Sequence, residues 1–293
     1  DRSRGLGDVY KRQVLEMARA FKLINSDGTE LDLMARKHFL HSPSGLGYEQ
    51  EFDTVAAGYD FLVSAAYLQQ KTIPGEIAFL GVNPYKDYQE FAAFCAKEPL
   101  KLAYRPLNEW YYLNVRVQSL SKTEITTGLL CPVDFLAFGT WYKSITVTKT
   151  ESGGGAGKTY DYAYPYTYAE GAIGSAKLNN TGSLPSYAKL HILGPCTNPS
   201  WALSQGGEVI SRGKVMAIIP EGNKLIVDSA PASLEIAEYS TDNAFIRNLY
   251  QASDFATARF LVVPTGESTL AFAHEGSGEI EAFVEVSALA ASV

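Results

Sequence analysis

The sequence predicts a mainly β protein of two domains with a single clear helix. Three observations lead to this prediction. Tyr and Phe, which favour strands, number 18 and 14, while 25 Gly and 13 Pro supply turns. Short segments that alternate between apolar and polar residues recur along the chain, separated by turn-forming residues. The length of 293 residues, with 46% apolar and 19% charged side chains, is sufficient for two cores.

The first thirteen residues, DRSRGLGDVYKRQ, are charged and turn-prone and lack the alternation that begins after them. Residues 8–13 read DVYKRQ, which is what a transposon-end adapter of sequencing libraries encodes. We interpret residues 1–13 as a sequencing artefact, and a disordered native terminus is the alternative. Either interpretation leaves this segment out of the fold.

Residues 14–143 are expected to form a β-sandwich or split-barrel-like domain that carries the helix. Asp27-Gly28 separates two alternating segments and predicts a hairpin, because Gly readily takes the positive φ of a tight turn. A turn-rich segment at 42–47 precedes a long polar–apolar stretch at 48–70. Further strands are expected at 75–80, 100–104 and 110–117, with a pair between 124 and 138.

One helix is clearly marked in this domain. Asn83 can cap it, Pro84 fits its first position, and Asp87 and Glu90 lie near its positive end. The residues spaced i, i+3, i+4 and i+7 on its predicted buried face are Tyr88, Phe91, Ala92 and Cys95. Pro99 is expected to end it.

A Gly-rich junction at 144–159 separates this domain from a second one at 160–293. The junction contains GGGAG at 153–157, which is typical of a linker or loop tip. Many short alternating segments with almost no helix then predict a β-sandwich. Its strands are expected at 190–193, 208–211, 215–220, 224–228, 260–264, 269–274 and 279–287.

The formal net charge of −7 is concentrated in the last third of the chain. From Trp201 to Val293 there are twelve acidic and five basic residues, which accounts for all of it. An acidic surface repels phosphates, so we expect neither nucleic acid nor an anionic membrane as a partner. No apolar run approaches the roughly 20 residues needed to span a bilayer, and no secretion signal is recognisable.

The three cysteines, Cys95, Cys131 and Cys196, are odd in number and far apart, without a C-x-x-C pair. This pattern argues against a disulfide framework or a zinc site. It predicts buried free thiols in a protein made in a reducing cytoplasm.

Residues 152–159 (SGGGAGKT) imitate a phosphate-binding loop. That loop begins with Gly, where Ser152 stands here, and is followed by a helix whose N-terminus holds the phosphates. The next residues, YDYAYP at 160–165, are extended. We therefore expect no nucleotide binding.

Other signatures of chemistry are weak. His38 and His41 would point to opposite faces of a strand, and no Cys or Asp close by completes a metal site. There is no G-x-S-x-G elbow and no H-E-x-x-H helix. Glycoside hydrolysis needs two facing carboxylates, which any acidic chain can supply, and nothing here selects such a pair. We predict no catalytic residue, no metal and no cofactor.

Five tyrosines spaced by two follow the junction: Tyr160, Tyr162, Tyr164, Tyr166 and Tyr168. In a strand they would project from one face, although Pro165 restricts the segment to an edge strand or a linker. They either form an aromatic platform for sugar rings or a protein partner, or they cover a sheet or pack between the domains. Trp201 has the same two alternatives: it either packs inside the domain or contacts a ligand. These six residues are the candidate ligand or partner contacts.

The order of elements in residues 14–143 resembles the N-terminal domain of bacteriophage distal tail proteins, the Sipho-tail family. The segments that carry this resemblance are, in order, Asp27-Gly28, PSGLG at 43–47, PGEIAF at 74–79, the helix from Tyr85 to Lys97, LKLAY at 100–104, VRV at 115–117, KTEI at 122–125 and the stretch from Phe135 to Tyr142.

Residues 160–287 resemble the galectin-like (jelly-roll) β-sandwich at the C-terminal end of the same family. The matching segments are YPYTY at 164–168, NTG at 180–182, ILGPCTNP at 192–199, KLIVD at 224–228 and PTGEST at 264–269. The loop at 153–158 and the extension with Tyr160 and Tyr162 have no counterpart that we can match.

The resemblance implies a structural virion protein and not an enzyme. Members of the family assemble as hexameric rings that form a baseplate hub at the end of the tail tube. One face of the ring binds tail tube protein, and the other carries tail-tip, tail-fibre and receptor-binding proteins. The N-terminal domain would then oligomerise and the C-terminal sandwich project outward, in a virion assembled in the bacterial host cytoplasm. The alternative function is a carbohydrate-binding protein that recognises host cell-wall glycans through the C-terminal sandwich.

Overall fold

The computed structural model describes residues 19–148, 151–152, 173–276 and 281–293. The chain divides into unit 1, Asp1–Lys143 with Ala290–Val293, and unit 2, Ser144–Leu289. The sequence analysis counted residues 290–293 with the second domain, whereas the structure groups them with unit 1, where Ala290 is buried in the core. Residues 1–13, the segment 153–159 and the five tyrosines lie outside the described residues.

The described residues are mainly β with one α-helix, which confirms the predicted fold class. Unit 1 contains β1 (Ala20–Ile24), β2 (Glu30–Asp32), β3 (Phe39–His41), β4 (Gln50–Ala57), β5 (Asp60–Leu68), β6 (Thr72–Phe79), α1 (Pro84–Cys95), β7 (Leu100–Arg105), β8 (Tyr111–Leu120), β9 (Glu124–Ile125), β10 (Gly128–Ala137) and the start of β11 (Trp141–Thr148). No helix among the described residues is long and apolar enough to cross a membrane.

Unit 2 contains the remaining strands and one short 3-10 turn, Tyr250–Ala252. The strands are β12 (Glu151–Ser152), β13 (Ile173–Asn180), β14 (Ser186–Leu193), β15 (Cys196–Thr197), β16 (Ser200–Gln205), β17 (Glu208–Lys214), β18 (Ile218–Ile219), β19 (Asn223–Asp228), β20 (Glu235–Ser240), β21 (Phe245–Asn248), β22 (Val262–Val263), β23 (Gly266–Ala273) and β24 (Ala282–Ala290).

Seven strands of unit 1 form one antiparallel sheet in the order β2-β1-β7-β8-β10-β6-β3. The first half of β8 pairs with β7 and its second half with β10. In β10 every second residue is buried, so one face of the sheet is apolar. The buried side chains of these strands and of α1 meet in a single core. β2 and β3 remain as edges, so the sheet is not a closed barrel.

The helix α1 begins where the sequence predicts. Asn83 Oδ1 accepts a hydrogen bond from the backbone N of Lys86 at 3.2 Å, which satisfies one of the free donors of the first turn. Pro84 occupies the first turn, where its missing N–H costs nothing. The helix therefore starts on a local signal that does not depend on the rest of the fold.

The buried stripe of α1 differs slightly from the predicted one. Asp87, Phe91 and Cys95 are buried, whereas Tyr88 and Ala92 are only partly covered. These three buried residues follow a spacing of four, so the helix is rotated by part of a turn relative to the predicted face. The rotation brings Asp87 into the buried stripe, which a purely apolar pattern does not reveal.

Unit 2 is a β-sandwich, as predicted. One sheet has the order β12-β13-β23-β16-β17, and the other has the order β24-β14-β19-β20-β21 with β22 added to β14. Leu178 and Phe272 of the first sheet share one core with Leu190 and Val227 of the second. The inward faces of the two sheets thus exclude water together. The galectin-like character of this sandwich stays a prediction.

The NTG segment at 180–182 fixes a turn in unit 2. Asn180 is buried, and its Nδ2 donates to Leu184 O at 3.0 Å, Ser186 Oγ at 3.0 Å and Val263 O at 3.1 Å. Its Oδ1 accepts from Gly182 N at 2.9 Å. A buried amide with these partners holds three chain segments together, so this segment has a structural role.

The cap of α1 yields a stability prediction. In Asn83→Ala we expect the free energy of unfolding of unit 1 to fall by about 1 kcal/mol, because the amide N of Lys86 loses its acceptor. Asn83→Asp is the control, since a carboxylate also caps and suits the positive end of the helix. Differential scanning calorimetry measures the change, and an unchanged transition in Asn83→Ala would contradict the assigned cap.

Candidate functional site

The most unusual feature of unit 1 is a β-hairpin that no other strand among the described residues joins. We call residues 48–69 the arm; it consists of β4 and β5, which pair with each other. All eight residues of β4 and eight of the nine in β5 are exposed. An isolated two-stranded hairpin is marginal in water, so the arm depends on a surface that the described part of its own chain does not provide.

Local features define the shape of the arm. Gly58 has φ +71°, a backbone conformation that favours glycine, and lies at the turn between the two strands. The register shifts between Asp53 and Thr54, and Ser64 Oγ donates to Asp53 O at 3.0 Å beside that shift. At the base, Gln69 N donates to Glu49 O at 3.0 Å. The arm is therefore paired along its whole length.

The arm is apolar on both faces. Its exposed large apolar or aromatic residues are Tyr48, Phe52, Val55, Tyr59, Phe61, Leu62, Val63 and Tyr67. Phe61, Leu62 and Val63 are consecutive, so in a strand their side chains point alternately to opposite faces. A hairpin that stays in solvent keeps at least one polar face. An exposed patch of this kind marks an interaction surface.

The arm also carries charge of one sign only. Glu49, Glu51, Asp53 and Asp60 lie in it, and no Lys or Arg occurs between positions 48 and 70. None of these carboxylates forms an ion pair with another described residue. A partner of the arm must therefore accept apolar side chains and negative charge together.

The sequence analysis did not identify the arm. It described residues 48–70 only as a polar–apolar stretch. The signal that was available is Gly58, flanked by two extended segments of eight and nine residues. The alternation indicates strands, but it does not say whether a strand lies inside a sheet or projects from it.

Of the six predicted contact residues, the structure describes only Trp201. It lies in β16, its side chain is 2% exposed, and it belongs to the core of unit 2. Its ring packs against Gly213 of the neighbouring strand β17, where an added Cβ would collide with it. This position corresponds to the packing alternative, because a sugar ring cannot stack on a covered indole.

The three cysteines are free and buried, which confirms the prediction. Burial raises the pKa of Cys95 to about 12 and that of Cys196 to about 11. Burial also raises the pKa of Cys131. All three remain protonated thiols at neutral pH and are poor nucleophiles and metal ligands.

The histidines are also separate. His41 Nδ1 lies 3.4 Å from a carboxylate oxygen of Glu76, and His191 stacks on Phe283 with the ring centres 4.2 Å apart. Burial, helped by Lys224, lowers the pKa of His191 to about 4, so its ring is neutral near pH 7. Among the described residues no group of three or more His, Cys, Asp or Glu is placed to hold a metal ion.

Most of unit 1 matches a described protein family. Residues 20–138 match the family described as distal tail protein, N-terminal domain. The resemblance of the first domain to the N-terminal domain of bacteriophage distal tail proteins is confirmed over these residues. No curated protein matches the chain.

Solved structures share the fold over almost the whole chain. A chain of the phage P2 baseplate, in its activated conformation with calcium, has a TM-score of 0.65 and 16% identity, and the match covers 94% of this chain and 100% of that one. The SPP1 Dit protein (gp 19.1), described as a hub of the adsorption apparatus in phages that infect Gram-positive bacteria, has a TM-score of 0.58 and 11% identity. This second match covers 91% of this chain and 98% of SPP1 Dit.

The packing of Trp201 gives a second prediction. We expect Gly213→Ala to lower the free energy of unfolding of unit 2 by about 1–3 kcal/mol, because the new methyl group collides with the indole. Trp201→Phe in the same chain makes room and should recover part of that loss.

Arg212→Ala, an exposed change on the same strand, is the matched control. Urea denaturation followed by circular dichroism measures the wild type and all three variants. Equal stability of Gly213→Ala and Arg212→Ala would show that the indole does not need the space at Gly213.

Proposed function

We propose that this protein is a structural subunit of a phage tail tip that assembles into a ring-shaped hub. The observation that carries the proposal is the arm of unit 1, which exposes apolar side chains on both faces of an unpartnered hairpin. The distal tail protein domain at 20–138 supports the same conclusion from an independent direction. The stoichiometry we propose is a hexamer.

The arm favours a ring over a simple dimer. The arm is a separate two-stranded sheet, and its surface differs from that of the main sheet of unit 1. When the arm of one copy covers a different surface of the next, each copy presents one arm and one surface that receives an arm. A chain of such contacts ends only when it closes on itself. Closure covers every arm.

The hub would connect several other proteins of the tail. We propose that one side of the ring binds tail tube protein and that the other carries tail-tip, tail-fibre and receptor-binding proteins. The site of action would be the virion tail tip, after assembly in the host cytoplasm. The similarity to a phage baseplate chain and to a hub protein supports this assignment.

We propose no catalytic role. The buried thiols and the scattered histidines of the described residues offer no converging set of reactive groups. Recognition of cell-wall glycans through the second domain is not favoured, since the described aromatic candidate, Trp201, is covered by the core of unit 2. The fold of a sandwich alone does not confer sugar binding.

Removal of the arm tests the proposal. Glu49 and Gln69 are hydrogen-bonded neighbours, so residues 50–68 can be replaced by Asn-Gly, which forms a tight turn. We expect the intact chain to form a closed oligomer at micromolar concentration and the shortened chain to be a folded monomer. Size-exclusion chromatography with light scattering, with and without co-expressed tail tube protein, measures both.

A milder variant separates loss of assembly from misfolding. Phe61→Ser with Val63→Ser removes apolar surface from one face of the arm, and we expect association to weaken by at least about tenfold. Val209→Ser with Ile210→Ser removes similar exposed surface from unit 2 and should leave assembly unchanged. A monomeric intact chain, even with tail tube protein, or a shortened chain that still assembles, would refute the hub proposal.

A further inference from the structure

We infer that the arm of one copy docks on the outward face of β7 and β8 of the next copy, and that opposite charges select this contact. The inference rests on the proposed ring and adds the surface that receives the arm. Both surfaces belong to unit 1.

The strand register shows which side chains share the outward face. Leu102 pairs with Leu113, and both are buried in the core of unit 1. The neighbouring positions along each strand point the opposite way. On β7 and β8 these outward positions are Lys101, Arg105, Tyr112, Asn114 and Arg116, while Ala103 in the same row is buried. They include three cations, of which Arg116 is already paired with Glu98 at 3.1 Å, and no carboxylate. The sign of this charge is opposite to that of the arm.

Aromatic rings lie beside these cations. The guanidinium of Arg105 is 5.0 Å from the centre of the Trp110 ring, and that of Arg116 is 5.4 Å from the centre of the Phe138 ring. Tyr112 contacts Tyr142 with the ring centres 5.9 Å apart. The face therefore offers flat apolar surface next to positive charge, which matches the mixed chemistry of the arm.

One cation of this face, Lys101, has accessible and unused binding capacity among the described residues. Lys101 is exposed and forms no ion pair with another described residue. Arg105 Nε is buried and has no hydrogen-bond partner there, although the guanidinium is fixed over Trp110. That Nε is covered, so a carboxylate from another copy meets Lys101 and gains a charge-assisted hydrogen bond there.

Unit 1 has another cationic position, the turn with Arg36 and Lys37, which competes for the same role. Both residues are exposed, but no aromatic ring contacts either cation among the described residues. A turn also lacks the extended surface that a hairpin of eight and nine residues needs. The β7–β8 face fits the arm better in shape, in apolar content and in charge.

Charge reversal on the receiving face provides the direct test. We expect Lys101→Glu with Arg105→Glu to weaken association by at least about tenfold in light scattering, because like charges then face each other. Adding Glu51→Lys and Asp53→Lys to the same chain should restore association, since the pairs are again opposite. The matched control is Arg36→Glu with Lys37→Glu, which should assemble like the wild type. Circular dichroism and thermal melting confirm that each variant is folded.

Mixing two defective variants tests whether the two surfaces are separate. The arm-shortened chain retains the receiving face, and the face-reversed chain retains the arm. If the arm docks on the β7–β8 face, the intact arm of the face-reversed chain can bind only the intact face of the arm-shortened chain. The mixture should then give a one-to-one heterodimer that does not grow. Raising the ionic strength from about 0.05 to 0.5 M should weaken it, because salt screens exposed charges.

The outcomes separate the inference from the proposed function. If the intact chain never assembles, the ring itself is refuted. If shortening the arm abolishes assembly but the face reversal has no effect, or the Arg36 and Lys37 control breaks assembly in its place, the ring stands and this receiving face is wrong. Failure of the arm reversal to restore association would show that charge does not select the contact.

Discussion

The constraint on which the architecture depends is that a two-stranded hairpin with apolar side chains on both faces is not stable as a solvated element. Large side chains that are half exposed gain about 1 kcal/mol or more each when they are covered. Joining two proteins costs several kcal/mol of lost motional freedom, so contact with one or two such residues is not enough. The arm exposes eight of them in one continuous element. This composition is typical of an element whose apolar surface is covered by another molecule.

Much of the fold follows from local signals in the sequence. The start of α1 rests on Asn83 and Pro84, and the alternation of β10 is visible as five buried residues in ten positions. The ends of the strands were less predictable. The segment expected at 260–264, for example, forms a strand only at Val262–Val263. The strands β13, β16, β20 and β21 were not predicted.

The functional surface was less predictable than the fold, for a physical reason. Periodicity reports which residues share a face, but not what covers that face. The arm and β10 both alternate as strands, and only the tertiary structure shows that one is buried and the other projects. For Trp201 the sequence left packing and ligand contact open, and the absence of a side chain at Gly213 is what allows its ring to be buried. The tyrosines from Tyr160 to Tyr168 lie outside the described residues, so their role stays a prediction.

The single sign of charge on the arm also bears on how wrong assemblies are avoided. Both edges of the hairpin are open, and two arms could pair edge to edge into a four-stranded sheet. That contact would be symmetric and would end growth at a dimer. It would also bring Glu51 and Asp53 of one arm near the same carboxylates of the other, with no cation in either arm to offset them. Repulsion of like charges disfavours this pairing, whereas a face that carries Lys101 and Arg105 attracts the same arm. In the ring that we propose, the carboxylates would thus disfavour pairing of two arms and direct the apolar arm to a different surface of the neighbouring copy, which is the condition for ring closure.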